Sequence, residues 1–515
     1  MAATASPPAK GGELGPRRLG TMAAVAQALA IGPMFSTAIV LPLVSNPLNG
    51  AKFNTALAVL IAGLGVLAIA YAISLFARKY QGAGAVYEYL THGAHPAVGV
   101  FVAGIFFVGT LFLGGGGIYL GLGILTQGFW AAHMSWLTST IPAWWLFALL
   151  FLVLALALNY IGIRIAIGLM LGFAAVSFTA MTILALAIIF QGGADGNTLS
   201  MFNPNTTSLF GVTGGGVLGG VLLGILLFVG FEAAASIGEE SHDPHRSIPR
   251  ALLWTVGVSA AFFVLMAYAI SVGLGKAAVD KGAWLDPAAL DNMATQYIGS
   301  WYAGFIDLVV ILDATALALA ICVTVGRGYF ALGRDGLLPS VFAKTSRHNT
   351  PWVGNLMVVV GGGGLILIAL YSNTMNKFVP IFGSKEFSAF IISATAGSFA
   401  IELVYLALSA AAIGLLVRNN GVWWQYLVVL VAIATPLLGF YGALDPAPHN
   451  SANPNWLAMY WALGVVVLSA VWYGVMQVWK PERIRNAAAH AAEHRGVAPL
   501  DENVDFTPAP PDTTI

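Results

Sequence analysis

Long apolar runs separated by short polar segments make up most of this chain. A helix needs about 20 mostly apolar residues to cross the hydrocarbon core of a bilayer. The pattern predicts an all-α membrane protein with twelve transmembrane helices, at Met22–Val44, Thr55–Phe76, Ala97–Gln127, Ala143–Tyr160, Ala166–Phe190, Gly216–Ile237, Leu252–Leu274, Phe305–Leu332, Val353–Tyr371, Phe387–Val417, Trp424–Tyr441 and Trp456–Trp479. The third, eighth and tenth runs are the longest, so we expect these helices to tilt or to absorb part of a loop.

The lysines and arginines are distributed unevenly between the predicted loops. With the N-terminus placed in the cytoplasm, only five of the 22 lysines and arginines fall outside, namely Lys52, Lys276, Lys281, Lys377 and Lys385. Membrane proteins concentrate positive charge in their cytoplasmic loops. The distribution therefore predicts a multi-pass protein of the cytoplasmic (cell) membrane with both termini in the cytoplasm.

The composition favours the same class of protein and argues against others. Hydrophobic residues make up 58% of the chain and charged residues only 9%, whereas a soluble domain has about 25% charged residues. The formal net charge is zero, so nucleic acid is not expected as a partner. A single cysteine, Cys322, excludes an internal disulfide, and no histidine falls well inside a predicted span. We therefore expect no metal site, no cofactor and no enzymatic activity.

The two ends of the chain differ from its apolar body. Residues 1–20 are polar and rich in proline and glycine, which predicts a disordered cytoplasmic N-terminus. Residues 21–480 contain all the predicted spans and form one transmembrane domain. Residues 481–515 are first charged and alanine-rich, then proline-rich and acidic, which predicts a cytoplasmic tail without a catalytic domain.

Two predicted spans carry helix-breaking residues near their middle. Unpaired backbone at membrane depth survives only where it lines a cavity. If spans 1–5 and 6–10 (about residues 21–190 and 215–417) are inverted repeats, span one corresponds to span six. Helix breaks in corresponding positions of two repeats indicate the substrate site of a transporter. The alternative is that the glycines and proline only kink the two helices. The predicted substrate-binding residues are Ile31, Gly32, Pro33, Met34, Phe35, Phe228, Val229, Gly230 and Phe231.

Charged residues supply a second set of candidates. A carboxylate inside a span is costly and is a functional hypothesis by default. Glu232 lies beside the break in span six and Asp313 well inside span eight, and we predict that both act in proton coupling or substrate binding. The alternatives are a structural hydrogen bond for Glu232 and helix packing for Asp313. Glu402, in span ten, is a further candidate, and Asp307, nearer the outer end of span eight, is expected to be solvated. The loop charges Glu239, Glu240, Arg246, Arg250, Arg334 and Asp335 predict a cytoplasmic gate of ion pairs, with membrane anchoring as the alternative for the arginines.

Four motifs resemble the amino acid–polyamine–organocation permease superfamily, and within it the amino acid permeases. They are Gly82–Tyr87 with Tyr89, Asn159–Arg164, Gly230–Glu232 followed by Gly238–Glu240 and Pro244–Ala251, and Arg327 followed by Gly333–Pro339 and Thr350–Trp352. The resemblance implies a five-plus-five inverted repeat of the leucine-transporter type with two extra C-terminal helices. It also implies a substrate site between helices one and six, with walls from helices three, eight and ten.

The chain departs from this family in the broken part of helix one. Many members have a run of glycines there, and the resemblance implies that their amides hold the substrate carboxylate. Here Gly32 stands alone and Pro33 follows it, so that only the amides of Gly32, Met34 and Phe35 can donate. Two alternatives remain open: the substrate binds in a different way, or it is an amine without a carboxylate.

These observations predict a secondary active transporter that carries an amino acid or a related amine by alternating access. Proton-coupled symport is favoured because acidic groups lie near the expected site. Sodium is the other coupling ion considered, with hydroxyl ligands from Ser36, Thr37, Thr315 and Thr324. An amine exchanger and a membrane sensor that binds an amino acid without moving it are the alternatives. The expected partners are the small-molecule substrate and the lipid bilayer. The sequence does not indicate an oligomeric state.

Overall fold

The computed structural model describes residue 14 and residues 19–29, 32–47, 50–80, 82–134, 136–137, 140–206, 216–286, 288–444, 454–485 and 487. Within these ranges the regular elements are helices, and the one β-type pairing is an isolated bridge between Leu19 and Ser241. The prediction of an all-α protein is confirmed for this part of the chain. Most of the two predicted tails lies outside the described residues, so their boundaries remain predictions.

The long helices are labelled α1 to α12 in chain order. They are α1 (Thr21–Val44), α2 (Lys52–Ala77), α3 (Pro96–Thr110, continued by the π-helical segment Leu111–Ile118 and by Tyr119–His133), α4 (Trp144–Ile161), α5 (Ile163–Phe190), α6 (Val217–Glu240), α7 (Pro244–Leu274), α8 (Ser300–Arg334), α9 (Trp352–Tyr371), α10 (Lys385–Arg418), α11 (Trp423–Leu444) and α12 (Pro454–Trp479). Short helices lie between them, at Val86–Gly93, Lys276–Asp280, Ala289–Tyr297 and Val379–Phe382.

Eleven of these helices are long and apolar enough to cross a membrane, and Pro96–Thr110 at the start of α3 is a shorter apolar helix. Their outer faces carry large apolar side chains in the open, such as Leu150 and Val153 on α4 and Val467 and Val471 on α12. In water a contiguous apolar surface of this kind is unfavourable, whereas lipid chains cover it without cost. The chain is therefore a multi-pass membrane protein.

Helix α7 begins earlier than the sequence predicts. The motif Pro244–Ala251 was expected in a cytoplasmic loop, with the span starting at Leu252, but the helix begins at Pro244. Proline is favoured in the first turn of a helix because the amide it lacks has no helical partner there. The connection from α6 is thus only three residues long, Ser241 to Asp243, and it holds the two helices close together.

Helices α1 and α6 are interrupted where the sequence predicts breaks. The first helical part of α1 ends at Ala28, and the helix resumes at Pro33 after Gly32, which has a φ of 58°. In α6 the α-helix ends at Leu226, Gly230 has a φ of 114°, and a 3₁₀-helix runs from Phe231 to Glu240. These left-handed conformations carry no steric penalty for glycine. Both breaks lie among buried residues of the bundle.

Glycines bring neighbouring helices into close contact at several crossings. At the contact of α8 with α9, a Cβ atom added to Gly354 would lie 2.3 Å from the carbonyl oxygen of Gly326. On the same helix, a Cβ added to Gly363 would meet nothing within 4 Å. Small residues are enriched at membrane helix interfaces because they allow such an approach. Gly354 is therefore a packing position, and Gly363 is not.

Alanine substitution at these two glycines tests the crossing. Gly354→Ala should destabilise the protein by about 1–3 kcal/mol, because the added methyl group meets backbone that must shift. Gly363→Ala is the matched control and should leave stability unchanged or slightly raised, since alanine favours helix. The measurement is the apparent melting temperature of each variant in detergent. Equal melting temperatures would contradict the close contact of α8 with α9.

Candidate functional site

A cavity of about 60 Å³ lies between the two helix breaks. Its walls come from α1, α3, α6, α8 and α10, the same helices from which the family resemblance implied a site. Most of the lining is apolar. The polar residues among the described lining are Ser36, Thr110, Glu232 and Thr324. Glu232 is the one charged group of that lining, so any charge that enters the cavity meets a carboxylate.

The second half of α1 begins with amides that have no partner within the helix. The first amides of a helix lack a preceding carbonyl group and need another acceptor. Here the amides of Met34 and Phe35 both donate to Oδ2 of Asp313 on α8, each at 2.9 Å. Asp313 is 1% exposed. Its carboxylate therefore caps the break of α1 from inside the bundle.

Among the described residues Oδ1, the other carboxyl oxygen of Asp313, is buried without a hydrogen-bond partner. The Ser177 hydroxyl lies within reach of Asp313 and donates to the carbonyl oxygen of Phe173 at 2.7 Å. The two α1 amides are thus the described backbone donors to this carboxylate. The contact between α1 and α8 is held by these two bonds at the level of the break.

Glu232 caps the break of α6 in a similar way. Its Oε2 atom accepts the amide of Gly230 at 3.0 Å and the hydroxyl of Tyr405 on α10 at 2.7 Å. Glu232 is 3% exposed and Tyr405 is fully buried. The Tyr405 ring also packs on Phe231, with ring centroids 5.7 Å apart. One carboxylate therefore satisfies the α6 break, ties it to α10 and borders the cavity.

Glu402 lies one helical turn before Tyr405 on α10. Its Oε1 atom accepts a hydrogen bond from Ser398 at 3.2 Å, and its Oε2 atom is buried with no hydrogen-bond partner in the described part of the chain. A Cβ atom built on Gly439 of α11 would lie 3.1 Å from that oxygen. The carboxyl group thus faces α11 and lies outside the cavity lining.

The structure brings together only part of the predicted substrate-binding set. Phe35, Val229 and Gly230 line the cavity with Glu232. Gly32, Pro33 and Met34 lie on the side of the break that faces Asp313. Phe228 packs against Phe263, and Phe231 against Tyr405. Ile31 lies outside the described residues.

Sequence reasoning named none of the residues on α3 and α10 that line the cavity. Phe106, Thr110 and Phe390 line it, and Tyr405 supports Glu232. The family resemblance indicated these helices but no residue on them. Within an apolar span nothing in the local sequence separates a threonine that faces a cavity from one that bonds back to its own helix.

Two ion pairs close one end of the bundle, and we call this end the ion-pair face. Arg334 binds Glu239 with two hydrogen bonds, at 2.7 and 3.0 Å. Arg327 binds Oε2 of Glu240 through Nε at 2.7 Å and Nη2 at 2.5 Å, and both side chains are 3% exposed. The pairs join the end of α6 to the end of α8. Arg327 was recognised as part of a motif but was not among the predicted gate residues.

The other predicted gate residues divide into two groups. Asp335 is buried and accepts a hydrogen bond from Tyr87 at 2.7 Å, so it belongs to the ion-pair face. Arg246 and Arg250 are exposed on the first turns of α7. Within the described part of the chain neither arginine lies within 4.0 Å of a carboxylate.

The segment before α1 also contributes to the ion-pair face. The Leu19 amide donates to the carbonyl oxygen of Glu240 at 3.0 Å, and the His242 amide donates to the carbonyl oxygen of Leu19 at 2.9 Å. These bonds hold the start of α1 against the end of α6. The two interrupted helices are therefore fastened together at the face where the ion pairs lie.

A wider cavity of about 400 Å³ lies toward the opposite end of α8. Asp307 and Asp291 line it, and Asp307 pairs with His133 at 2.9 Å. Burial and the neighbouring Asp307 carboxylate raise the pKa of Asp291, on the short helix Ala289–Tyr297, to about 7. Asp307 and Arg327 are separated along α8 by roughly 30 Å at 1.5 Å per residue. The bundle is thus wide at one end and closed by ion pairs at the other.

Among the described residues no group of three or more histidine, cysteine, aspartate or glutamate side chains is arranged to hold a metal ion. The buried carboxylates instead accept hydrogen bonds from backbone amides and hydroxyl groups. Their positions suit the capping of interrupted helices and contact with a cationic group.

Several known proteins resemble this chain. The branched-chain amino acid permease BcaP of Bacillus subtilis is 31% identical over 140 residues, which are 27% of this chain and 29% of the relative. The uncharacterized transporter Rv1999c of Mycobacterium tuberculosis is 27% identical over 250 residues, 48% of this chain and 52% of the relative. The polyamine transporter PUT1 of Oryza sativa is 26% identical over 169 residues, 32% of this chain and 30% of the relative. The chain thus spans about half or less of the length of these relatives.

A family-level comparison covers far more of the chain. The sequence profile of the amino acid permease family matches residues 23–470, from α1 into α12. The interrupted helices, the cavity between them and the ion-pair face all lie within that range. The family and the relatives named above are permeases and transporters, not enzymes. The chain belongs to the amino acid permease family.

Proposed function

We propose that this protein is a secondary active transporter of the cell membrane, which carries an amino acid or a related amine by alternating access. The observation that carries the proposal is the cavity between the breaks of α1 and α6, with Glu232 as its one charged lining residue in the described chain. The names of BcaP and PUT1 refer to branched-chain amino acids and to polyamines, which share an amino group. An ammonium group is the feature that a buried carboxylate recognises most directly.

The packing of the helices supports twelve spans arranged as two five-helix repeats with α11 and α12 added. If each helix is replaced by the helix five positions away in the chain, helix pairs that pack together correspond to pairs that also pack together. The contact of α1 with α7 corresponds to that of α6 with α2, the contact of α5 with α8 to that of α10 with α3, and the contact of α4 with α8 to that of α9 with α3. Such a pattern is expected of inverted repeats. We propose that α3 is the twelfth span, which places both termini on one side of the membrane.

The distribution of charge supports an orientation. The ion-pair face carries Arg246, Arg250, Arg327 and Arg334. Positive charge is concentrated on the cytoplasmic side of membrane proteins. We therefore propose that the ion-pair face is cytoplasmic and that the wider cavity opens to the outside. The described conformation then corresponds to a transporter closed toward the cytoplasm.

Alternating access requires the ion-pair face to open. The Glu239–Arg334 pair is the more exposed one, with side chains 16% and 10% exposed, and the Glu240–Arg327 pair is the more buried. Separating a buried pair leaves charges without partners and is strongly destabilising. We propose that Glu239–Arg334 breaks in each cycle and that Arg327 remains with Glu240 as the end of α6 moves.

The position of Glu232 supports coupling to protons. A carboxylate that borders the cavity and bonds to Tyr405 can hold a proton or a substrate ammonium group in turn. We propose symport with protons on this ground. Sodium remains the alternative, with Ser36 and Thr324 as cavity oxygens. Exchange of amines without a coupling ion and sensing without transport are the other outcomes that an assay must separate.

Uptake into proteoliposomes tests transport and coupling together. An inward proton gradient should stimulate uptake of a labelled substrate several-fold, and Glu232→Gln should abolish that stimulation because the side chain no longer exchanges a proton. Glu482→Gln, an exposed position after α12, is the matched control and should behave as the wild type. Stimulation by a sodium gradient alone would contradict proton symport. Binding without uptake under any gradient would contradict transport.

Labelling of an engineered cysteine tests the gate. Thr324→Cys, placed in a Cys322→Ala background, puts one thiol in the cavity wall. In inside-out vesicles an impermeant maleimide should label this thiol several-fold faster when Glu239→Gln is added, because Arg334 loses its charged partner. The paired substitutions Glu239→Arg and Arg334→Glu should restore slow labelling. Unchanged labelling in the Glu239→Gln variant would contradict a gate at this ion pair.

A further inference from the structure

We propose that the transported molecule is an organic amine with one ammonium group, an apolar body and no carboxylate. The inference rests on the proposed function and narrows its substrate class. It depends on three observations on the described residues: the described amides of both helix breaks already have acceptors, the carboxylate of Asp313 caps the start of the second half of α1, and the described cavity lining offers acceptors but no positive charge. Together they leave a substrate carboxylate without a partner.

The interrupted part of α1 has no free backbone donor among its described residues. The amide of Gly32 donates to the carbonyl oxygen of Leu29 at 3.4 Å, and Pro33 has no amide hydrogen. The amides of Met34 and Phe35 donate to Asp313. A helix N-terminus is otherwise a favourable place for an anion. In this protein the anion is supplied by its own chain.

The space beside Gly32 is also filled. A Cβ atom built on Gly32 would lie 3.1 Å from Cδ2 of Leu317 and 3.4 Å from Oδ2 of Asp313. Even a methyl group at this position would therefore meet both α8 side chains. A substrate carboxylate that used these amides would have to displace the Asp313 carboxylate and leave it buried beside another negative charge.

The break of α6 is satisfied in the same manner. The Phe228, Val229 and Phe231 amides donate to carbonyl groups within α6, at 2.9, 3.2 and 3.2 Å. The Gly230 amide donates to Glu232 at 3.0 Å. Buried backbone groups are normally all paired, and these four amides are already engaged. The described amides named at the two breaks therefore offer no donor to a substrate carboxylate.

The cavity itself presents hydrogen-bond acceptors. Thr110 donates to the carbonyl oxygen of Phe106 at 2.7 Å and Thr324 to that of Ala320 at 3.1 Å, and the Thr324 oxygen also accepts from Nε2 of Gln27 at 3.4 Å. The remaining lone pairs of the two hydroxyl oxygens are the groups left for a ligand. Among the described lining residues there is no lysine, arginine or histidine. A carboxylate transferred into such a site would be desolvated without compensation, whereas an ammonium group can donate to these oxygens.

The rest of the lining defines the body of the ligand. Phe35, Phe106 and Phe390 line the cavity, with aliphatic side chains between them. Apolar walls favour an alkyl or aromatic group, and aromatic faces attract a neighbouring cation. One carboxylate at the wall matches one ammonium group. These features indicate a primary amine with an alkyl or aryl body.

Matched ligand pairs provide the test. Leucine and 3-methylbutylamine differ only in the α-carboxylate, as do phenylalanine and 2-phenylethylamine. Purified wild-type protein in nanodiscs should bind each amine at least about tenfold more tightly than its amino acid. A tenfold ratio of dissociation constants corresponds to about the free energy of one strong hydrogen bond, which the carboxylate makes in water and cannot replace in the cavity. Equal or tighter binding of the amino acids would overturn the inference, and so would failure of all amines to bind.

Flux measurements with the same ligands separate this inference from the transport proposal. Uptake of the amines but not of the amino acids supports both. Uptake restricted to the amino acids supports transport and overturns the substrate class. Binding of amines without uptake overturns transport and leaves the substrate class standing.

Substitution of Asp313 tests the reason for the exclusion. Asp313→Ala releases the Met34 and Phe35 amides and should bring amino acid binding to within a few-fold of amine binding. Asp313→Asn is the matched control, because its amide oxygen can still accept from both backbone groups and should keep amino acids out. Continued exclusion of amino acids by a folded Asp313→Ala protein, monodisperse in detergent, would overturn the assignment. If this variant does not fold, the wild-type ligand pairs still decide the substrate class.

Discussion

A backbone amide in the hydrocarbon region of a membrane must have a hydrogen-bond acceptor, and this constraint shapes the centre of the protein. Helices α1 and α6 are interrupted there, which would leave several amides unpaired. Two buried carboxylates meet the need: Asp313 accepts from Met34 and Phe35, and Glu232 accepts from Gly230. The interruptions and the carboxylates therefore depend on one another. Without the carboxylates the breaks would be unfavourable, and without the breaks the carboxylates would lose their backbone donors.

The same two groups differ in what else they contact. Asp313 accepts hydrogen bonds from the α1 amides and is not among the described residues that line the cavity, so in this structure it joins α1 to α8. Glu232 borders the cavity and bonds to Tyr405, so a ligand or a proton can reach it. The ion-pair face joins the far end of α6 to α8 by two further carboxylates, Glu239 and Glu240. Movement of α6 relative to α8 would therefore change the cavity and the ion-pair face together.

Local features of the sequence predicted much of this arrangement. Hydropathy located the spans, and Gly32 with Pro33 and Gly230 located the breaks, because glycine and proline act on their own backbone. Hydropathy also placed Asp313 and Glu232 at depth. It could not supply their partners, since Met34 and Asp313 are 279 residues apart in the chain. Tyr405 and Arg327 were missed as partners for the same reason. The start of α7 was misplaced because Pro244 and the charges that follow it resemble a loop, although proline suits the first turn of a helix.

If the two interrupted helices form the binding site of the carried molecule, a cryo-electron microscopy map of the protein saturated with an amine that it binds will show where the ligand lies. We expect density between the breaks of α1 and α6. The ammonium group should lie against Glu232, and Asp313 should still accept from the Met34 and Phe35 amides. Ligand density confined to the wider cavity beside Asp291 and Asp307, with the space between the breaks unchanged, would contradict this expectation.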